Sequence, residues 1–425
     1  MASLPSERSF LCRFSTNIFT AILLVASVSF PVIAAAQTLT GLHAFTGGLD
    51  GGFPESGVTL DRAGNLEGTA FEGGSASLGA VYKLTHNGSN WIASGLHEFA
   101  GGSDGARPAA RVIVGPDGSL YGTTVAGGSN NSCGEYTGCG TVFQLSPPAS
   151  ICKAVLCPWN ETVLFRFPGG PEGALPGSGD LLFDTQGNIY GTTQSGGAND
   201  AGTVYKLTPS NGTWVHSVIY SFTGGQDGGY PMAGVIPDAA GNLYGTTQSG
   251  GSGNGGTIYE LSPSGSGWTE STLHALNIST EGAYIQAGLI FDSAGNLYGA
   301  AAAGGLNGSG TVFQLAPSGD TWNFTVLYAN FGQGGGYEGP AASLAIDQTG
   351  SLYGTSVGWN DGDNFGTIFK LTPSNGGWVY TLLHQFALND GGMPFGGVTL
   401  NASDNLYGTT SEAATSGGTV WMLVQ

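Results

Sequence analysis

The residues best suited to chemistry in this 425-residue chain are aromatic and acidic side chains placed in glycine-rich loops. Aromatic rings stack on the faces of sugars, and carboxylates accept hydrogen bonds from hydroxyl groups. Together they are typical of a site for a polyhydroxylated ligand such as a glycan. The sequence therefore predicts a binding site whose members are Tyr230, Tyr284, Tyr337, Trp359, Asp361 and Asp363.

Three of these residues occupy one recurring position. Loops between repeats begin with an acidic or polar residue, and three positions later they carry Phe53, Arg107, Leu175, Tyr230, Tyr284, Tyr337 and Met393. Tyrosine thus stands at the same place in three consecutive repeats. The alternative interpretation is that these rings act as wedges that set the angle between neighbouring units.

Catalysis is a second interpretation of the same loops. Asp361 or Asp363 would act as acid or base in a polysaccharide lyase or glycoside hydrolase, and hydrolysis requires two carboxylates placed across one bond. A purely structural extracellular module is the third interpretation. We predict no cofactor and no metal site, because the repeated aspartates lack the spacing of a calcium loop and suit turn caps instead. These aspartates are Asp61, Asp117, Asp184, Asp238, Asp292 and Asp347.

Four histidines share a repeated position with other aromatic residues. Since the chain also accepts phenylalanine and tyrosine there, the pattern indicates packing rather than catalysis. The members are His43, His97, His274 and His384, with Phe165, Tyr220 and Tyr328 in the other repeats.

A short phrase returns seven times and sets the architecture. The copies end at Gly68, Gly122, Gly191, Gly245, Gly299, Gly354 and Gly408, with successive separations of 54, 69, 54, 54, 55 and 54 residues. A fixed period of this size indicates stacked supersecondary units that share a core. Such an array grows past the usual single-domain limit, because each unit contacts only its neighbours.

One repeat divides into four predicted strands. They cover 233–237, 243–247, 257–261 and 268–276, and turn residues such as Asp238 and Gly241 separate them. Four antiparallel strands per period are typical of a β-propeller blade. The sequence therefore predicts an all-β, seven-bladed β-propeller.

The two ends of the chain predict how the ring closes. Residues 39–45 match the fourth strand of a repeat, whereas 419–423 match the third strand of the last one. Joining them completes the seventh blade and leaves no unpaired edge. An open β-solenoid is the alternative, but it gives no reason for a divided repeat.

The phrases "GNLYGTTQSGG", "GTVYKLTPSNGTW" and "SFTGGQDGGYP" also resemble a known family. They are similar to the GloVer-type tandem repeat of exported "choice-of-anchor" bacterial proteins, and the resemblance covers 37–425. It implies an exported repeat protein and assigns no activity. The chain ends at Gln425 without a sorting tail or membrane helix, so the sequence does not support surface anchoring.

The N-terminus has the pattern of a secretory signal peptide. Arg8 and Arg13 precede an apolar stretch at 18–32, and small residues lead to a predicted cleavage after Ala36. Loss of 1–36 leaves 28 acidic and 8 basic residues. Such a charge repels polyanions, so we expect no nucleic acid or membrane partner. A secreted monomer that binds a glycan or a cell-surface protein is the predicted state.

Four cysteines lie together in an insertion, 133–157, within the second blade. An even, local set in an exported protein indicates disulfides rather than a metal site. The strand predicted at 141–145 separates the cysteines into two pairs. The pairing predicted is therefore Cys133 with Cys139 and Cys152 with Cys157.

Overall fold

A computed structural model describes residues 37–88, 90–148, 159–331, 339–358 and 364–425. These residues form seven four-stranded antiparallel sheets and one two-stranded hairpin. The protein is a seven-bladed β-propeller, as the repeat predicts. The predicted signal peptide, together with Tyr337, Trp359, Asp361, Asp363, Cys152 and Cys157, lies outside the described residues.

The strands are numbered in chain order, and a 3-10 turn at Gly170–Glu172 is the described helical element. The first three blades with the N-terminal strand contain β1 Thr38–Ala44, β2 Thr59–Leu60, β3 Leu66–Ala70, β4 Ala80–Asn87, β5 Asn90–Glu98, β6 Ile113–Val114, β7 Leu120–Thr124, β8 Gly127–Cys133, β9 Tyr136–Gly138, β10 Thr141–Ser146, β11 Asn160–Arg166, β12 Leu182–Phe183, β13 Ile189–Thr193, β14 Thr203–Ser210 and β15 Thr213–Ser221. The last four contain β16 Ile236–Pro237, β17 Leu243–Thr246, β18 Asn254–Ser264, β19 Gly267–Asn277, β20 Ile290–Phe291, β21 Leu297–Ala301, β22 Thr311–Ser318, β23 Thr321–Tyr328, β24 Ala345–Ile346, β25 Leu352–Ser356, β26 Thr367–Ser374, β27 Gly377–Gln385, β28 Thr399–Leu400, β29 Leu406–Thr410 and β30 Thr419–Val424.

The seventh blade closes the ring with strands from both ends of the chain. Strand β1 pairs antiparallel with β30, from Thr38 opposite Val424 to Ala44 opposite Thr419. The sheet order is β1-β30-β29-β28. The predicted closure is therefore confirmed, and the open solenoid is excluded because the first strand completes the last blade.

The glycine of the repeated phrase is explained by the residue across the sheet. Gly245 pairs with Tyr259 on the next strand, and the tyrosine ring lies directly over the glycine. A Cβ on Gly245 would overlap the tyrosine hydroxyl, so a larger residue does not fit. The same arrangement occurs in all seven blades, with Tyr82, Phe143, Tyr205, Phe313, Phe369 and Trp421 as the other overlying residues.

Hydrophobic clusters join adjacent blades rather than filling single ones. In one cluster Val204 of the third blade packs with Val235, Tyr259 and Leu261 of the fourth. Each blade is therefore stabilised by its neighbours, as expected for a repeat array.

The recurring aspartates cap turns, as predicted. Asp238 Oδ1 accepts the backbone N–H groups of Ala240 at 2.8 Å and Asn242 at 2.9 Å. The other five aspartates accept equivalent backbone N–H bonds, and Asn401 does so in the seventh blade. At Asp61 burial would raise the pKa of the carboxyl group, but hydrogen bonds from the Asn65 and Lys83 side chains, together with the Asn65 backbone N–H, lower it to about 2.

Candidate functional site

The loops that join blades meet the loop between the second and third strands on one face of the ring. Gly229 and Ser249 form a bridge through mutual backbone hydrogen bonds of 2.9 and 3.2 Å. Equivalent bridges occur at Gly52–Glu72, Ala106–Ala126, Ala174–Ser195, Ala283–Ala303 and Gly392–Glu412. These two sets of loops, here called the loop face, form the predicted binding surface.

The residue three places after the acidic loop residue has an unusual backbone conformation. Tyr230 has a φ of 58° and Tyr284 a φ of 57°, in the left-handed region that non-glycine residues seldom adopt. Phe53, Arg107, Leu175 and Met393 share it. Each such residue therefore stays in place only because surrounding contacts hold it there.

Backbone hydrogen bonds supply those contacts and link two blades. The Tyr230 N–H donates to the Ala201 carbonyl of the third blade at 2.7 Å, and the Tyr230 carbonyl accepts the Gln248 N–H of the fourth at 3.1 Å. The backbone of Tyr230 therefore links the third and fourth blades through these two bonds. The tyrosine rings are left with large exposed fractions, 41% for Tyr230 and 38% for Tyr284.

Two further aromatic rings are exposed in the loop segments that lead into the first strands. Phe53 occupies the left-handed position before the first blade and is 40% exposed, while Phe395 is 38% exposed and leads into the seventh. In the sequence, Phe53 stands at the recurring loop position but was not included in the predicted site, and Phe395 was not singled out. Their signal was the same as for the tyrosines: a large aromatic ring in a loop segment between blades.

A cavity of about 560 Å³ lies at the centre of the ring. All seven blades contribute to its lining through the segment that leads into the first strand. Among the lining residues are Glu55, Arg111, Asp180, Gln286 and Phe395. Phe395 therefore belongs both to the exposed aromatic residues and to the central cavity.

One ion pair joins two blades inside this cavity. Arg111 Nε donates to Asp180 Oδ2 at 2.9 Å, Nη2 contacts the same oxygen, and the Arg111 backbone N–H reaches Asp180 Oδ1 at 3.2 Å. The carboxylate charge of Asp180 raises the pKa of Arg111. The other blades have only small, uncharged residues at the equivalent position, so the charged pair is specific to the second and third blades. These residues are Gly57, Gly234, Gly288, Ser343 and Gly397.

Glu55 supplies a titratable group to the same cavity. Burial, with a smaller contribution from the charge of Glu72, raises the pKa of Glu55 to about 7, although Arg107 acts in the opposite direction. A carboxyl group with this pKa exchanges a proton near neutral pH. The cavity thus offers a donor or acceptor at Glu55 and a fixed ion pair at Arg111 and Asp180.

The structure confirms one of the two predicted disulfides. Cys133 and Cys139 are bonded, with their Cα atoms 5.1 Å apart, and they close the hairpin of β8 and β9. The pairing of Cys152 with Cys157 falls outside the described residues and stays a prediction. Among the described residues, no helix has the length and apolar character needed to cross a bilayer.

Comparison with known families identifies the repeat. The model of the Gloeobacter/Verrucomicrobia repeat matches residues 26–236 and 176–421. This chain belongs to that family. The resemblance drawn from the repeated phrases is confirmed, whereas no curated protein matches the chain.

Solved structures share the architecture of this repeat protein at low sequence identity. An ulvan lyase of polysaccharide lyase family PL25, bound to -[GlcA(1-4)Rha3S]-, is 10% identical, with 91% of this chain and 95% of that chain covered and a TM-score of 0.52. A second structure of a PL25 ulvan lyase is 11% identical with the same coverage and a TM-score of 0.50. A gluconolactonase from Xanthomonas campestris is 16% identical over 62% of this chain and 74% of that chain, with a TM-score of 0.36. These likenesses concern the fold.

Proposed function

We propose that the protein is an exported binding propeller that holds an extended polyhydroxylated ligand, such as a glycan, across its loop face. The observation that carries the proposal is the exposure of Tyr230 and Tyr284 at the same left-handed loop position, which at Tyr230 is fixed by backbone bonds to two blades. A ring on a rigid backbone loses little conformational entropy when it binds, and this favours stacking on a sugar.

The central cavity supplies the polar half of such a site. Arg111 donates to acceptor oxygens, Asp180 accepts from hydroxyl groups, and Glu55 does either according to pH. Aromatic faces combined with a few fixed polar groups are the usual composition of a saccharide site. Trp359, Asp361 and Asp363 remain proposed members of the same site from their sequence positions. Tyr337 remains a proposed neighbour of the site, but it is not the equivalent of Tyr230, because in the sixth blade Gly339 donates to the Ala302 carbonyl at 3.1 Å and accepts from the Val357 N–H at 3.3 Å.

Export is part of the proposal. The bonded pair Cys133 and Cys139 persists in oxidising compartments, which agrees with a signal peptide at 1–36. We expect protein recovered from outside the cytoplasm to begin at Gln37 when its N-terminus is sequenced. Recovery of the intact N-terminus from the cytoplasm alone would contradict export.

A glycan array followed by isothermal titration calorimetry tests the binding function. Replacing both Tyr230 and Tyr284 with Ala removes two rings, each of which contributes about 0.5–1.5 kcal/mol to stacking beyond area burial. The double substitution should therefore weaken binding by about 1–3 kcal/mol, roughly 5-fold to 160-fold, while the thermal stability stays close to that of the wild type.

Met393→Ala is the matched control, because Met393 has the same left-handed backbone at the same loop position without an aromatic ring. It should leave the affinity nearly unchanged. Absence of any glycan ligand, together with intact folding, would favour the purely structural module. Equal losses in the control and in the tyrosine variants would refute stacking as the basis of recognition.

Catalysis on such a polymer is a second candidate, favoured by the raised pKa of Glu55 in the central cavity. A carboxyl group that is protonated near pH 7 is suited to act as a general acid. Incubation with acidic and neutral polysaccharides, followed by detection of new reducing ends or unsaturated products, tests this candidate. Glu55→Gln should abolish product formation and preserve binding; retention of turnover in this variant would exclude Glu55 as the acid.

A further inference from the structure

Neighbouring blades meet at a repeated contact between their outermost strands. The fourth strand of each blade carries an aromatic residue near its end, and in five blades the acidic residue of the following loop folds back to it. His43 Nε2 lies 3.0 Å from Asp50 Oδ2, His274 Nε2 lies 2.9 Å from Glu281 Oε2, and the Tyr220 hydroxyl donates to Asp227 Oδ2 at 2.9 Å. We call this arrangement the interblade slot.

A residue from the fourth strand of the next blade faces each slot. In three slots it is an aromatic ring that stacks on the first one, with centroid separations of 4.1–4.3 Å. The stacked pairs are Phe165 with His216, His274 with Phe324, and Tyr328 with Tyr380. The ordinary function of the slot is thus aromatic packing between blades.

The slot between the first and second blades departs from this pattern. His97 faces Glu161, which is opposite Leu145 in the ladder, just as His216 is opposite Leu207 in the third blade. His97 Nε2 lies 3.2 Å from Asp104 Oδ1. One ligand atom from each of His97, Asp104 and Glu161 lies within 4.8 Å of the others, and all three side chains are partly buried.

The second carboxylate in this slot is incompletely satisfied. Among the described residues, Glu161 Oε1 is buried and has no hydrogen-bond partner. The nearby cation Arg166 directs its Nε–H to the Ser103 carbonyl at 2.9 Å, and among the described residues it forms no ion pair with Asp104 or Glu161. A buried carboxylate oxygen beside a second carboxylate is unfavourable without a proton or a cation.

We propose that His97, Asp104 and Glu161 bind a divalent transition metal ion, for which Zn²⁺ is the test ion. One imidazole nitrogen and two carboxylate oxygens form a donor set that Zn²⁺ accepts in a four-coordinate site with one position left for water. Tetrahedral bonds of about 2.0–2.1 Å place donor atoms roughly 3.3 Å apart, so the observed spacing needs only small side-chain movements.

The electrostatic surroundings of Glu161 favour a bound cation. Burial and the neighbouring charge of Asp104 raise the pKa of Glu161 to about 7, against the opposing effects of His97 and Arg166. The ion would also link the first two blades, because His97 and Asp104 come from one side of the slot and Glu161 from the other.

Calorimetric titration of Zn²⁺ into the propeller segment, residues 37–425 without an affinity tag, tests the site near pH 7. We expect one site of defined stoichiometry and a higher melting temperature with Zn²⁺ than with Mg²⁺. Glu161→Gln keeps the shape of the side chain and should weaken Zn²⁺ binding by about tenfold or more. His97→Phe should do the same and retain packing, since Phe165 fills this position in the next blade.

Glu270→Gln is the matched control. Glu270 is opposite Leu261, the same ladder position as Glu161, but it faces Tyr220 and Asp227 and has no histidine beside it. Its substitution should leave Zn²⁺ affinity unchanged. Zn²⁺ that binds Glu161→Gln as well as it binds the wild type would overturn the proposal, as would complete absence of a Zn²⁺ site. The latter result would mean that Asp104 and Glu161 share a proton instead.

Discussion

The tyrosines that lie over the repeated glycine carry hydroxyl groups for which the structure provides no partner. Among the described residues, the hydroxyls of Tyr82, Tyr205 and Tyr259 are buried without a hydrogen bond. Burial also raises the pKa of each. Phe143, Phe313 and Phe369 fill the equivalent place in other blades, so the site accepts a ring without the oxygen.

We therefore predict that Tyr259→Phe stabilises the protein. A buried hydroxyl without a partner costs about 1–3 kcal/mol. Removal of one oxygen leaves roughly 10–15 Å³ of space above Gly245, which costs about 0.3 kcal/mol at about 24 cal/mol per Å³. The free energy of unfolding should rise by about 1–2 kcal/mol on balance.

Tyr298→Phe is the control with the opposite sign. The Tyr298 hydroxyl donates to Asp292 Oδ2 at 3.0 Å and accepts from Gln314 Nε2 at 2.8 Å. Its removal takes hydrogen bonds from two partly buried groups, so the free energy of unfolding should fall by about 1 kcal/mol.

Equilibrium urea unfolding of the two variants and the wild type measures both effects. The midpoint should move up for Tyr259→Phe and down for Tyr298→Phe, with similar slopes. A lower midpoint for Tyr259→Phe would refute the reasoning, because it would mean that the hydroxyl is hydrogen-bonded in the folded protein. The substitutions at Tyr82 and Tyr205 should add to the effect, since each lies in a different blade.

Three further predictions concern ring closure, the disulfide and pH. Deletion of residues 39–45 exposes the edge of the last blade and should cause aggregation; a monomer with unchanged melting temperature would contradict closure. Replacing Cys133 and Cys139 with Ser should lower the free energy of unfolding by about 2 kcal/mol or less, because the bond closes a short loop; peptide mapping without reduction checks the native pairing. Burial raises the pKa values of Glu55, Glu67 and Glu161 to about 7 from the ordinary 4.5, so the folded state binds more protons between these values. Stability should fall as pH rises from about 5 to 7, and Gln at Glu55 and Glu161 should reduce this fall in thermal denaturation and leave the contribution of Glu67; an unchanged slope would contradict it.

The fold was predictable from the sequence because the repeated glycine is required in every blade by the aromatic ring that lies over it. The lengths of the strands were not, because they depend on contacts with the neighbouring blade. The first strand of the fourth blade was expected at 233–237 but covers Ile236–Pro237. The Ala233 carbonyl accepts the Thr192 hydroxyl of the preceding blade at 2.9 Å, so this segment pairs across the blade boundary instead of within its own sheet. A pattern read within one repeat does not contain that contact.

The sites were harder to predict because each depends on two neighbouring blades that both carry a residue unlike the one found at that position in most repeats. Tyr230 and Tyr284 could be singled out from the sequence because the same residue type stands at the same loop position in consecutive blades. Glu161 shares its ladder position with Glu270 of the fourth blade, so a carboxylate there does not by itself mark a site. What distinguishes Glu161 is its proximity to His97 and Asp104, which lie in a different repeat. The available signal was a carboxylate at a ladder position that holds His216, Phe324 or Tyr380 elsewhere.

Charged residues at positions that most blades leave uncharged occur in pairs on adjacent blades, and this pairing has a physical cause. At the central cavity most blades place glycine where Arg111 and Asp180 stand, and either charge alone would face its neighbours without compensation. Both charges therefore have to enter together, on adjacent blades, and each fixes the geometry of the other. The same reasoning applies to Glu161, whose carboxylate is unfavourable in an aromatic slot unless a proton or a cation accompanies it. Packing explains the residues that recur in every blade of this propeller. A charged residue at a position that is uncharged in most blades, together with a partner that neutralises it, is therefore the sequence pattern that best indicates a functional site.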